Sequence, residues 1–166
     1  MSRRREGIIE VEPIINPDIQ TLCLRPYPNH KKGCPNYNHK EGCPPNAQMF
    51  DSVCDMAMPV FAICEAFDFR GHVERMKERH PEWSQRQLEC CLYWQGGVRK
   101  RLKIRMKVFH GAMMGLNGRD YFLTDVPEAM GVNVTETMKK VGIGLEWPPV
   151  DVVYKIAMAG VRKKNE

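Results

Sequence analysis

Apolar and polar side chains alternate through residues 7–15, Gly-Ile-Ile-Glu-Val-Glu-Pro-Ile-Ile, with the two-residue period of a half-buried strand. Pro13 predicts that this strand lies on a sheet edge. The pattern stops at Asn16. From there to Asn46 the chain is rich in Pro, Gly, Asn, His and Lys and short of aliphatic residues, so this segment lacks the apolar surface to order itself. Residues 47–55 read as a short helix with Phe50 and Cys54 on one face, and Pro59 to Phe67 as a buried strand. Residues 71–79 suit a helix, and Ser84 supplies an N-cap for the longer stretch 85–110. Gly96-Gly97 interrupts that stretch, after which Val98, Leu102 and Met106 recur every four residues among basic side chains. Gly111 to Arg119 reads as a loop, Thr135 to Val141 as a short helix closed by Gly142, and residues 150–159 as a last strand. This alternation of strands and helices predicts the α/β or α+β class, a small mixed sheet packed with helices in one domain, 1–166.

Composition sharpens the class without naming a function. With 166 residues, 43% hydrophobic and 27% charged, the chain has the profile of one globular domain. No apolar run reaches the roughly 18 residues a membrane helix needs, and Met1-Ser2-Arg3-Arg4-Arg5-Glu6 does not lead into a signal-peptide core. These features predict a cytoplasmic protein with no membrane partner. Seven cysteines in a reducing compartment are expected as metal ligands, reactive thiols or small core residues rather than as disulfides.

Three of those cysteines, Cys23, Cys34 and Cys43, fall in the segment without a core of its own, 16–46. A metal would close those loops and order the segment, because binding free energy at such a site acts as folding free energy. Cys34-Pro35 and Cys43-Pro44-Pro45 give rigid exits from a ligand pocket, with Gly33 and Gly42 just before the ligands. Three thiolates suit an iron–sulfur cluster, 4Fe-4S in particular, with one iron open to a small sulfur-containing or anionic substrate. Zinc is the alternative metal, with His39 or His30 completing a Cys3His set. Cys54 is a fallback fourth ligand, although its apolar neighbours favour a core place for it and for Cys64. A fully ligated cluster would instead carry electrons to a redox partner. Cys90 and Cys91 are expected in a helix, outside the site.

Through Cys34-Pro-Asn-Tyr and Cys43-Pro-Pro-Asn the chain resembles a family of uncharacterised metal-binding proteins, domain of unknown function 2284. The order of elements over 47–110 and the segment Pro127-Glu128-Ala129-Met130-Gly131-Val132-Asn133-Val134 are similar to that family as well. The resemblance implies one N-terminal metal site on Cys23, Cys34 and Cys43, and no established reaction. A second cysteine motif usual in the family is missing between Gly111 and Pro127.

The remaining candidate chemistry is basic. Arg99, Lys100, Arg101, Lys103, Arg105 and Lys107 crowd one helix and form a possible anion-binding surface for a phosphate or RNA. A solvated amphipathic helix is the simpler reading, since no aromatic residues are interleaved and the net charge is only +5. A structural-zinc module using this helix on RNA or a protein partner is the alternative to the cluster. His72, His80 and His110 are expected at the surface, and Glu128 and Glu136 in capping or surface roles. No nucleotide-binding loop is present; Gly142-Ile143-Gly144 is too short to be one.

Overall fold

The computed structural model describes residues 6–27 and 30–164, so the reading of Met1 to Arg5 and of Pro28 and Asn29 lies outside the described residues. Strands β1 (Gly7–Val11), β2 (Val60–Asp68), β3 (Tyr121–Thr124) and β4 (Val152–Val161) form one sheet in the order β1-β2-β4-β3. Where a mixed sheet was expected, the three strand pairings are all antiparallel, and the domain is α+β. β1 ends two residues before Pro13 and occupies an edge, as that proline predicts. β2 is central and buried on both faces, which is why its sequence reads as a nearly continuous apolar run.

The helices cover the sheet on both sides. They are α1 (Phe50–Val53), α2 (Phe69–Arg79), α3 (Gln85–Leu88), α4 (Gln95–Asn117) and α5 (Val134–Lys140). α4 lays Leu102 and Phe109 against Ile63, Tyr121, Ala157 and Ala159 on one face. On the other face, Phe50 and Cys54 join Met130, Val132, Val134, Met138 and Ile143 over Ala62, Cys64, Ile156 and Met158. Phe50 and Cys54 do share a buried face, and burial pushes the Cys54 thiol up to about 11 despite the opposing charges of Arg162 and Lys163. Burial likewise pushes Cys64 up to about 12, with the charge of Arg105 opposing it.

The stretch 85–110 is not one interrupted helix. Ser84 forms a capping box with Gln87, but α3 lasts only four residues before the chain passes through a 3₁₀ turn at Cys91–Tyr93. The break falls before Gly96-Gly97, where Trp94 turns inward to stack on Phe67 with ring centroids 5.0 Å apart and meets Phe69 edge-on at 5.8 Å. Aromatic packing, rather than glycine, places the break. Cys90 therefore precedes, and Cys91 opens, a 3₁₀ turn instead of both lying in an α-helix.

α4 then continues through the expected loop at 111–117 and stops at Gly118, whose φ of 62° forms a left-handed cap. Phe109 and Met113 extend its apolar stripe over the sheet, and this packing offsets the weak helix propensity of Gly111 and Gly115. β3 follows directly. It is too short, at four residues, to declare itself by periodicity.

One charge is buried in the sheet. The Glu65 side chain, 4% exposed, accepts hydrogen bonds at 2.5 Å from Arg101 Nε and from Arg105 Nε, which ties β2 to α4. Burial alone would raise this carboxyl, but the two hydrogen bonds and the guanidinium charges outweigh it and hold the group below its usual range.

Candidate functional site

The loop that carries Cys23, Cys34 and Cys43 is ordered by its own hydrogen bonds. Asn16 caps a 3₁₀ turn at Pro17–Leu24 by accepting the Asp18 N–H, and its own N–H reaches Gly131 O at 2.7 Å. Gln20 Nε2 donates to Ala47 O at 3.1 Å and to Ala129 O at 2.8 Å, clasping both ends of the segment to the body of the protein. Further along, Cys34 N–H binds Cys23 O at 2.7 Å, Asn38 N–H binds Pro44 O at 2.7 Å, and Pro44 is fully buried. Gly33 makes the fold-back possible: its φ is 84°, and a Cβ there would lie 2.5 Å from Cys23 O.

These bonds draw the three cysteines into one neighbourhood but not onto one ion. Burial raises the Cys23 thiol, and negative charge at Cys34, Cys43 and Glu128 adds to the shift, so the groups sense one another. Yet among the described residues no group of three or more His, Cys, Asp or Glu side chains converges to hold a metal ion. The expected iron–sulfur cluster and the alternative zinc are thereby overturned, and with them the open-iron and electron-carrier roles and the zinc module. Backbone turns supply the order that the composition led one to expect of a metal. The fallback ligands are scattered: Cys54 is in the core, His30 packs on Tyr27 with centroids 4.6 Å apart, and His39 sits in a turn closed on Asn36 O.

The six basic residues of α4 divide into two sets. Arg101 and Arg105 are engaged by Glu65, whereas Arg99, Lys100, Lys103 and Lys107 line an open groove with Gly96 and Ile104 and have no acidic partner among the described residues. His72 is not at the surface. It is 8% exposed beside Phe67, and burial lowers its pKa, helped by the charge of Arg75 and opposed by a hydrogen bond with the Leu88 backbone. His80 stacks on Trp83 at 4.0 Å, and His110 is exposed. Glu136 occupies the first turn of α5 beneath the Asn133 cap.

A partly enclosed site among the described residues arises from a mismatch in strand length. β3 pairs with β4 only from Tyr121 opposite Val161 to Thr124 opposite Met158, whereas β4 begins at Val152. After Thr124 the chain leaves the sheet through Asp125 and enters a 3₁₀ turn at Pro127–Met130, with Val126 N–H held by Thr124 Oγ1 at 3.2 Å. The lane beside the first half of β4 is left open, and a cavity of about 180 Å³ fills it.

Its walls come from both sides of the sheet plane. Trp94 and Val98 stand on the α4 side, and Val134 and Leu145 on the α5 side, with Tyr154 and Ile156 between them. Trp147, itself largely exposed, forms part of the rim and donates Nε1–H to Thr135 Oγ1 at 3.2 Å. Glu146 closes the turn that leads into β4. Its Oε2 accepts the N–H groups of Val150 at 2.8 Å, Asp151 at 2.7 Å and Val152 at 3.4 Å, and these bonds lower its pKa. Asp125, Glu128 and Lys155 are the remaining charged groups in the wall. Glu128 keeps solvent exposure in this wall; desolvation by the protein around it raises its carboxyl pKa, against the opposing hydrogen bond of its own backbone N–H and the Lys155 charge.

Among these residues the sequence singled out Val98, in the apolar stripe of its helix, and Glu128, in a capping or surface role. Trp147-Pro148-Pro149, an aromatic residue on a proline pair just before the last strand, is the sequence feature that could have marked the rim. No protein-family model, curated protein or solved structure matches this chain. These comparisons identify no family for the chain. No helix among the described residues is long and apolar enough to cross a membrane.

Proposed function

We propose that this protein is a binding module for a small ligand that joins an apolar or aromatic group to a protonated amine or amide donors. The observation that carries the reading is the cavity beside β4, where Trp94, Tyr154, Val134 and Leu145 present apolar surface and Asp125 and Glu128 contribute carboxylates to the wall. Binding sites of small organic molecules have this make-up: mostly apolar walls, a few placed polar groups and a carboxyl with a displaced pKa. Trp94 is held on Phe67 and Phe69, so its wall needs no rearrangement to receive a ligand. Titration with 2-phenylethylamine, followed by tryptophan fluorescence and backbone amide shifts, tests the proposal. Saturable changes confined to the cavity walls support it, and their absence at millimolar probe overturns it.

A second reading rests on the four bases of α4 that the fold leaves without an acidic partner among the described residues, Arg99, Lys100, Lys103 and Lys107. They support an anion-bearing partner on the outward face of that helix. Labelled single-stranded RNA at two salt concentrations is the probe, since binding through phosphates weakens steeply with salt. Loss of all salt-dependent binding would remove this reading without touching the first.

A further inference from the structure

The cavity has a wall of a kind that small-molecule pockets rarely possess, the unpaired edge of a strand. Residues along a strand direct their N–H and C=O groups alternately toward the two neighbours. In β4 the parity is fixed by hydrogen bonds at both ends. Arg162 N–H binds Asp120 O at 2.8 Å, on the β3 side, and Val152 N–H binds Glu146 Oε2 at 3.4 Å, at the start of the open lane. Lys163 N–H points the other way, to Val53 O at 2.9 Å. The register with β2 runs without a bulge from Val152 to Ala159. Even-numbered residues therefore face the lane that β3 vacates. Tyr154 and Ile156 each present an N–H and a C=O to it, and no strand lies beside them among the described residues.

An unpaired edge inside a walled slot is a template for another backbone. The walls have the matching layout. A strand placed in the lane would send alternate side chains to opposite sides of the sheet plane. It would meet Trp94 and Val98 on one side and Val134 and Leu145 on the other. An isolated ring or amine uses one wall; an extended peptide uses both walls and the edge.

Resting on the cavity reading above, we infer that the natural ligand is an extended peptide segment of a partner protein, added as a short fifth strand against Tyr154 and Ile156. Its amides pair with the edge, its alternating apolar side chains fill the two walls, and a basic side chain faces Asp125 and Glu128. Specificity comes from the walls and affinity from the main chain.

The test uses the full chain and two probes, 2-phenylethylamine and the blocked pentapeptide acetyl-Val-Val-Lys-Val-Val-amide, which carries apolar side chains to both walls and one basic side chain, with Leu and Phe versions of the latter. Hydrogen exchange of the Tyr154 and Ile156 amides is the readout. Strand addition slows both by about tenfold or more at saturating peptide, while the amine, having no backbone, leaves them unchanged. Peptides N-methylated at the amides facing the edge lose about tenfold in affinity, and those methylated at the intervening amides do not. Tyr154→Pro removes one edge N–H without breaking the β2 ladder, so it abolishes the protection at Ile156 and weakens the peptide about tenfold beyond Tyr154→Ala, which shares the loss of the ring, whereas the two variants bind the amine alike. Peptide binding that leaves both amides unprotected, or amine binding with no peptide binding at all, overturns the strand-addition inference and leaves the cavity reading standing. Failure of both probes overturns both.

Discussion

The cysteine loop and the cavity beside β4 are opposites in what they display and what they assemble. The loop gathers ligand-type residues, three cysteines and two histidines, in a segment of unusual composition, yet it is ordered by main-chain turns and a glutamine clasp and presents no ligand set to a metal among the described residues. The cavity draws one or two ordinary residues from each of several distant elements, and together they make an enclosed site with placed charges. Residue type marks possible chemistry; convergence of side chains decides whether it exists. Metal binding demands three or four atoms at one point, a stringent condition that sequence density does not meet. A binding cavity demands only that elements leave a gap with suitable walls, and a strand that stops short of its neighbour's end is enough.

The predictions that probe this contrast begin with the bond that fixes the cavity's α4 wall. Glu65→Ala leaves Arg101 and Arg105 without their shared carboxylate and is expected to cost about 3 kcal/mol in urea denaturation, near the lower range for breaking a buried charged pair because both arginines retain access to water. The pH dependence carries the same signature. Because the folded pKa of Glu65 is lowered, its stabilisation is complete above the ordinary carboxyl range and is lost as pH falls through the folded value; the variant should lose that part of the acid slope. A variant that is equally stable, with an unchanged acid limb, would mean that α4 is held by packing alone.

On the loop side, Gly33→Ala forces a side chain into a left-handed backbone and onto Cys23 O. A loss of about 2 kcal/mol is expected, with faster amide exchange confined to residues 16–47. Gln20→Ala, removing two hydrogen bonds, should cost about 1–2 kcal/mol with the same local pattern. A chelator should leave the melting temperature where it was. If the chelator loosened the loop as Gly33→Ala does, the contrast between loop and cavity would be reversed.

At the cavity, Trp94→Ala should weaken 2-phenylethylamine by about tenfold, the loss of one aromatic wall. Glu128→Gln acts through charge. Its carboxyl titrates above the usual carboxylate range, so amine affinity should rise with pH as that group ionises, and the substitution should flatten the rise. An unaltered pH profile would remove Glu128 from the site. The smallest effect is on α4. Lys100→Ala with Lys103→Ala should change stability by less than about 0.5 kcal/mol while reducing the salt dependence of any RNA binding.

Much of the local structure was legible. Pro13 marked an edge strand, Ser84 a helix start, and the spacing of Val98, Leu102 and Met106 gave the apolar stripe of α4. The loop expected over 111–119 is mostly helix because glycine propensity is a local quantity, whereas Phe109 and Met113 are held by a sheet distant in sequence. His72 is buried rather than exposed for a related reason: its charged neighbours in sequence are not the Phe67 and Leu88 that surround it in space.

The sequence by itself determined most of the strands and helices and which of their faces are apolar, because period and capping are properties of consecutive residues. It also carried the composition that made residues 16–46 stand out. Only the tertiary structure decided what that segment does with its cysteines, which two of the six α4 bases are taken by Glu65, and where a site exists. Those outcomes depend on distances between atoms that the chain brings together from far apart, as when Gln20 reaches Ala129, and on the register that ends β3 at Met158 of its neighbour. Neither quantity is written in any window of the sequence.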